Sequence, residues 1–229
     1  MNILAIDTSN SNLLVSLKTT TNTYNSPKQT TSKHLETLLP NIENLLESAG
    51  LKPNNIDIIG VVVGPGSFTG IRIGVATAKA LMMCFKKIKC VAVNSLDLLA
   101  YNTISKSNTI QDVICVIPST LRKFYVGQFH GKTRVAPDRI METTELESLL
   151  ESKQQKNIQV VIPAGCTLDC CKDALQLEIT CDDIINFVER AKIDNNFVTS
   201  NNLKPYYLGL SQAEIDLNNK ERKNNGTNI

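Results

Sequence analysis

The segment 64–74, GPGSFTGIRIG, constrains the fold of this chain more than any other part of the sequence. Residues 56–63 before it are apolar and β-branched, which predicts a buried strand, and the small-residue run 75–81 after it predicts a helix. The segment is therefore a tight turn between a strand and a helix. Glycine in such a turn lets the backbone approach a ligand, or lets the helix pack closely on the sheet. The residues alone leave both interpretations open.

The known glycine motifs do not fit this turn. Ser67 or Thr69 can cap the helix, and free N–H groups at its start favour an anion. However, Gly70-Ile71-Arg72 stands where a P-loop needs Lys followed by Ser or Thr. A dinucleotide-binding fingerprint is also excluded, because it would follow the first strand of a βαβ unit and have an acidic residue about 20 positions later. A serine nucleophile turn needs a second glycine after Ser67 and a base, and the chain has only two histidines, His34 and His130.

Composition narrows the class of protein. A chain of 229 residues is one large domain or two lobes that share a cleft, and a net charge of +2 is too small for electrostatic binding of nucleic acid by this chain alone. Seven cysteines, with no leader and no apolar run of about 20 residues, predict reduced thiols in a cytoplasmic protein without a membrane segment. The cysteines at 166, 170, 171 and 181 lack a C-x-x-C pair, which disfavours zinc.

The first 105 residues predict one lobe. Strands at 3–6, 13–17 and 19–25 precede a helix at 32–49, which Thr31 or Ser32 would cap and in which Pro40 predicts a kink or restart. After the glycine turn come a helix, a strand at 91–93, and a helix capped by Asn94 or Ser95. With the strand at 56–63, this order begins β-β-β-α-β-α.

Residues 106–217 predict a second lobe. The expected strands are 113–117, 124–129, 133–136 and 158–162, and the expected helices are 145–152, 170–177 and 184–191. The tail 218–229 is rich in Asn and Lys, which predicts disorder.

Four stretches together resemble the TsaB family (older name YeaZ), the small paralogue in the bacterial machinery that makes threonylcarbamoyladenosine in tRNA. They are ILAIDTS at 3–9, HLETLLP at 34–40, the glycine turn, and KPYYL at 204–208. The resemblance implies an α/β, actin-like ATPase fold related to ribonuclease H. Such a fold has two lobes with β-β-β-α-β-α cores, and here the second is degenerate.

The resemblance also implies candidates for a nucleotide or phosphate site, although Asp7 could equally cap a turn. The candidates are Asp7, Thr8, Ser9, Gly64, Gly66, Ser67, Thr69 and Gly70. Several positions depart from the family pattern. Pro118 and Thr120 replace the Asp and Arg of a D-A-R segment, 163–165 reads PAG in place of a glycine turn, and Gly209 replaces an Arg. Thr30 stands where the catalytic paralogue has a second metal-binding histidine. We therefore expect no catalytic residue, metal or cofactor in this chain.

The function implied is that of a non-catalytic subunit that forms a heterodimer with the paralogue TsaD through first-lobe helices. The expected interface residues are Leu35, Leu38, Leu39, Ile42, Leu45, Leu46, Ile71, Val75 and Ala78. ATP and a metal ion would belong to the partner subunits, and the TsaE ATPase and the tRNA would join through the complex. Alone, the chain could form a homodimer. The alternatives are a stand-alone ATP-binding transferase or phosphotransferase, and a glycoprotease-type peptidase.

Overall fold

Two mixed sheets organise the chain in the computed structural model, which describes residues 1–27, 29–30, 33–107, 109–119, 122–153 and 158–209. The first sheet has the order β3-β2-β1-β5-β6, and β4 pairs with β2 beside it. Its strands are β1 (Ile3–Asp7), β2 (Asn12–Lys18), β3 (Thr23–Asn25), β4 (Gln29–Thr30), β5 (Ile58–Gly64) and β6 (Lys89–Asn94). The first three strands are antiparallel, whereas β1, β5 and β6 are parallel.

The second sheet repeats this topology with the order β9-β8-β7-β10-β11. Its strands are β7 (Asp112–Pro118), β8 (Lys123–His130), β9 (Thr133–Glu142), β10 (Ile158–Pro163) and β11 (Leu175–Leu177). Again the first three strands, β7, β8 and β9, are antiparallel, whereas β10 runs parallel to β7 and β11 runs parallel to β10. Two copies of one strand order confirm the predicted two-lobed α/β fold.

Helices cover both sheets. They are α1 (His34–Ser48), α2 (Phe68–Cys84), α3 (Ser95–Lys106), α4 (Thr143–Lys153) and α5 (Cys181–Ile193), with a short 3₁₀ turn at Pro53–Asn55. In the first lobe α2 connects β5 to β6. In the second lobe the corresponding connection, 164–174, is made of turns in place of a helix, so the second lobe is the reduced one.

The first sheet is buried on both faces, and successive side chains of its strands point alternately into the two cores. Leu4 and Ile6 contribute to the core beneath α1 and α2, whereas Ile3 and Ala5 contribute to the core beneath α5. This is the period of two that a strand imposes on its side chains. α3 lies between the lobes, since Leu98 belongs to the first-lobe core and Leu96 packs with the second sheet.

Several sequence predictions need correction. The helix expected at 170–177 is wrong: the segment forms turns and then β11, because pairing with β10 stabilises an edge strand there. Of the kink or restart expected at Pro40, the restart is wrong, because α1 continues through that residue as one helix. α5 was placed in the second lobe, yet it packs on the first sheet. Thr31, Ser32, Thr120 and the tail 218–229 lie outside the described residues.

Candidate functional site

The glycine turn connects β5 to α2 at the end of the first sheet that faces the second lobe. Gly64 has a φ of +108°, a conformation that favours glycine, and the Gly64–Pro65 peptide is cis. Ser67 caps α2, since its Oγ accepts a hydrogen bond from the Gly70 N–H at 3.2 Å. The Ser67 N–H donates to the Ser9 carbonyl oxygen at 2.6 Å, which joins the turn to the β1–β2 hairpin.

Three glycines spaced four residues apart let α2 lie against that hairpin. A Cβ on Gly66 would overlap the Ser9 carbonyl oxygen, and a Cβ on Gly70 would overlap the carbonyl oxygen of Thr8. A Cβ on Gly74 would meet the Thr8 hydroxyl, which itself donates to the Gly70 carbonyl oxygen at 2.7 Å. The glycines of the motif are therefore explained by close packing within the chain.

Most of the predicted phosphate-site residues do lie together, but the chain itself occupies their polar groups. Asp7 is 3% exposed, its Oδ1 accepts the Ser9 N–H at 2.7 Å, and its Oδ2 lies 3.4 Å from the Asn10 amide nitrogen. Burial raises the pKa of Asp7, and the hydrogen bonds from Ser9 and the charge of His34 lower it by less. Thr69 is exposed, and Gly64 lies against Ile71 and Tyr206 instead.

Neither histidine forms the arrangement that a peptidase needs. His34 is buried, and its Nε2 donates to the Asn10 carbonyl oxygen at 2.7 Å. His130 lies 3.0 Å from the Asp112 carboxylate on the other sheet. In the described part of the chain neither ring has a hydrogen bond to a serine or cysteine.

A cavity of about 420 Å³ separates the two lobes beside the glycine turn. Its polar lining includes the carboxylates of Asp7 and Glu178, and its apolar lining includes Leu98, Leu99 and Ile117. The lining described contains no Lys, Arg or His side chain. Among the described residues there is also no cluster of three or more His, Cys, Asp or Glu that could hold a metal ion.

The second-lobe wall of this cavity offers few hydrogen-bond donors. Pro163 has no N–H, and the Ala164 N–H donates to the Leu177 carbonyl oxygen at 2.9 Å. The Gly165 N–H donates to the Gln176 side chain at 3.2 Å and the Cys166 N–H to the Pro163 carbonyl oxygen at 3.1 Å. These three N–H groups therefore bond within the chain and are not available to a phosphate.

The predicted interface residues divide into two groups. Leu35 and Leu39 are exposed, by 75% and 53%. The other seven are at most 6% exposed and belong to this chain's own core: Leu38, Ile42, Leu45, Leu46, Ile71, Val75 and Ala78. Their assignment to a partner interface is therefore wrong, because the apolar stripe of each helix faces the sheet beneath it.

The outward surface of α1 and α2 is nevertheless apolar in part. Both helices begin beside the β1–β2 hairpin, α1 at His34 and α2 at Phe68, so they run in the same direction. The exposed side chains of this helix-pair surface are Leu35 and Leu39 on α1, and Ala76, Ala80 and Met83 on α2. The sequence did not distinguish this surface from the buried stripe.

A cluster at the start of α2 was also missed. The Arg72 guanidinium stacks on the Phe68 ring at 3.8 Å, and the Arg72 Nε donates to the Tyr207 hydroxyl at 2.7 Å. The rings of Phe68 and Tyr207 stack with centroids 4.9 Å apart. The Arg in the glycine motif and the Tyr pair near the end of the chain were visible in the sequence, but nothing in it connected them.

A buried polar network joins the lobes. The Asp138 carboxylate on β9 accepts hydrogen bonds from the Tyr206 hydroxyl at 3.0 Å and from the Asn94 amide at 3.3 Å, and forms an ion pair with Arg134. Arg134 also pairs with Asp97 on α3. Because Asn94 ends β6 and Asp138 lies on β9, the network holds the two sheets in one orientation.

The comparison with protein families finds a match over most of the chain. Residues 17–188 match the family model described as "TsaD: tRNA N6-adenosine threonylcarbamoyltransferase". A Bacillus subtilis (strain 168) protein named "tRNA threonylcarbamoyladenosine biosynthesis protein TsaB" is 31% identical over 68% of this chain and 68% of its own length. A Buchnera aphidicola (subsp. Baizongia pistaciae) protein of the same name is 31% identical over 56% of this chain, and the match spans 60% of that relative.

The fold is similar to solved structures. "YeaZ from Pseudomonas aeruginosa" superposes with a TM-score of 0.69 at 20% identity, covering 90% of this chain and 99% of that one. A second Pseudomonas aeruginosa structure, an uncharacterized protein with similarity to peptidase YEAZ, gives a TM-score of 0.70 at 19% identity, with 91% and 99% coverage. At this identity the likeness establishes the fold.

Proposed function

Because this chain belongs to the TsaB family, we propose that it is a non-catalytic subunit that binds and supports a TsaD catalytic subunit. The reaction supported is threonylcarbamoyl transfer to the adenosine beside the tRNA anticodon. In this proposal ATP and the metal ion belong to the partner subunits, and the TsaE ATPase and the tRNA join through the complex. The assembly forms in the cytoplasm.

The observation that carries the proposal is the exposed helix-pair surface. Leu35, Leu39 and Met83 are 75%, 53% and 62% exposed on two neighbouring helices. Leu35 and Leu39 lie near the start of α1 and Met83 near the end of α2, so exposed apolar side chains occur at both ends of the helix pair. Exposed large apolar side chains favour burial against another protein. In the absence of TsaD, a second copy of this chain would cover the same surface.

The interlobe cavity supports the non-catalytic part of the proposal. Its glycine turn is packed on Thr8 and Ser9, and the backbone donors of 164–166 on its second wall bond within the chain. An ATP site in this fold needs donors for phosphate from both lobes. We therefore propose that the isolated chain does not hydrolyse ATP. Binding of ATP with Mg²⁺ in a calorimetric titration would favour the stand-alone transferase instead.

The test of the partner role is a titration of the full chain with TsaD from the same cell. Leu39→Glu puts a charge into the proposed contact and should weaken binding roughly 100-fold while the chain stays folded. Val135→Glu is the matched control, since Val135 is 58% exposed on β9 of the other sheet. Leu38→Glu cannot serve, because Leu38 is 1% exposed and the variant should unfold.

The outcomes separate clearly. Tight binding by the wild type, lost in Leu39→Glu and kept in Val135→Glu, supports the proposal. A wild-type chain that fails to bind TsaD would contradict the partner role itself. Equal binding by a folded Leu39→Glu variant would place the interface on another surface.

A further inference from the structure

Arg72 is held in a fixed position on the exposed side of α2, next to the helix-pair surface. Its guanidinium lies 3.8 Å from the Phe68 ring centroid and 5.7 Å from that of Tyr207. Its Nε donates to the Tyr207 hydroxyl at 2.7 Å. Stacking and a hydrogen bond restrict a side chain that is otherwise costly to order. The arginine is therefore preorganised before any partner arrives.

The donors at the end of this arginine remain available. Arg72 is exposed, and none of the residues described by the structure forms an ion pair with it. The two terminal nitrogens form a planar fork that matches a carboxylate. Because the Tyr207 oxygen accepts from Nε, its own proton can be donated to a further acceptor. An aromatic-supported, unpaired arginine is typical of the residues that contribute most to protein interfaces.

We infer that Arg72 and Tyr207 together receive a carboxylate side chain, Asp or Glu, of the protein that covers the helix-pair surface. The inference rests on the proposed function, since it names how this surface recognises its TsaD partner. Arg72 and Ala76 lie one turn apart on α2, so the charged contact is continuous with the apolar one. The apolar residues exclude water from the ion pair, which strengthens it.

The surroundings favour a protein carboxylate over the phosphate of a nucleic acid. Glu36, Glu43 and Glu47 are exposed on α1, the neighbouring helix. Glu36 pairs with Lys33 at 3.3 Å, and the charges of Glu43 and Glu47 repel a polyanion that would lie along this surface. A single carboxylate experiences less repulsion than a polyanion. The protein that carries it can also cover the exposed leucines with apolar side chains. The net charge of +2 gives no broad positive surface that would offset the glutamates.

The first experiment measures binding of TsaD to the full chain by calorimetry. Arg72→Ala should weaken binding roughly 10- to 100-fold, because a charge-assisted hydrogen-bonded pair is lost. The affinity of Arg72→Lys should lie between those of the wild type and Arg72→Ala, since Lys keeps the charge but lacks the planar pair of donors. Tyr207→Phe should weaken binding about threefold through the lost hydrogen bond. Arg139→Ala is the control, since Arg139 is exposed on β9 of the other sheet.

The second experiment identifies the acceptor. A carbodiimide activates a carboxylate, and a nearby amine then displaces the activating group as a urea and forms an amide. Arg72→Lys supplies such an amine where the wild type has none. We expect a cross-linked peptide that joins position 72 to an Asp or Glu of TsaD, found by mass spectrometry and missing from the wild type.

The results distinguish this inference from the proposed function. If the wild type binds TsaD and Arg72→Ala binds it equally well, the inference is wrong and the partner role stands. If Arg72→Ala keeps its affinity for TsaD but the complex loses affinity for tRNA, phosphate is the acceptor and the inference is again wrong. If the wild type does not bind TsaD, both fail.

Discussion

Gly70→Ala tests whether the glycine motif serves packing or ligand binding. Gly70 lies in the first turn of α2, and a Cβ there would overlap the carbonyl oxygen of Thr8. Backbone atoms, unlike the end of a flexible side chain, cannot rotate away. The substitution must therefore push α2 from the β1–β2 hairpin.

The expected cost follows from three contributions. Overpacking costs about 1–3 kcal/mol. Separation of the two elements weakens two hydrogen bonds, from the Thr8 hydroxyl to the Gly70 carbonyl oxygen and from the Ser67 N–H to the Ser9 carbonyl oxygen, worth about 1 kcal/mol each. Replacing glycine by alanine within a helix returns about 1 kcal/mol. The net loss in the free energy of unfolding is roughly 2–4 kcal/mol.

Urea denaturation followed by circular dichroism gives this free energy directly. Gly50→Ala is the control: Gly50 has a φ of +64° and no atom within 4 Å of an added Cβ, so only backbone strain of about 1–2 kcal/mol applies. If Gly70→Ala costs less than about 1 kcal/mol, the packing argument is refuted, and a ligand would again be the better explanation of the motif.

Two further substitutions test the buried polar groups. Burial holds the pKa of Asp7 above its usual 3.8, so the folded state binds this proton more tightly than the unfolded chain does, and the free energy of unfolding should fall as pH rises from that value. In urea denaturation from pH 4 to 8, Asp7→Asn should lack this fall. A variant whose pH profile runs parallel to that of the wild type would contradict the assignment. Asp7→Asn should also leave the tRNA-modifying rate of the reconstituted complex within about threefold. Asp138→Ala leaves Arg134, whose side chain is 27% exposed, without its buried partner and should cost roughly 2–4 kcal/mol, whereas the exposed Asp112→Ala should cost less than about 1 kcal/mol. Equal losses would mean that the network contributes no more than a surface contact.

Local elements were the most predictable part of this fold. For two helices the sequence offered two candidate caps each, Ser67 or Thr69 and Asn94 or Ser95. Ser67 and Asn94 are the ones that accept hydrogen bonds from the first turn of their helices. The apolar strand 158–162 was likewise confirmed, and in the first lobe β1, β2 and β3 precede α1 as expected, with the two-residue β4 added before the helix. These features depend on neighbours along the chain, which a sequence shows directly. The helix expected at 170–177 was wrong because its apolar spacing is also compatible with a short strand beside β10.

The candidate site was only partly predictable. The sequence placed Asp7, Thr8 and Ser9 near the glycine turn, and the structure brings them together. It could not show that Thr8 and Ser9 fill the space beside Gly66 and Gly70. Likewise, the Leu/Ile stripe of α1 predicted an apolar surface but not which neighbour it faces. The stripe faces the sheet, and the exposed Leu35 and Leu39 lie outside it.

The sequence by itself determined most of the longer helices and strands, the fold class and the family, because backbone sterics, side-chain periodicity and a long specific motif all act over short stretches of chain. Only the tertiary structure decided how distant residues combine. Arg72 and Tyr207 are 135 positions apart, and Asn94 and Asp138 are 44 apart, yet each pair shares a hydrogen bond. Such contacts form only when the whole chain closes around its two sheets. The surface offered to a partner is therefore a property of the fold, and no single segment contains it.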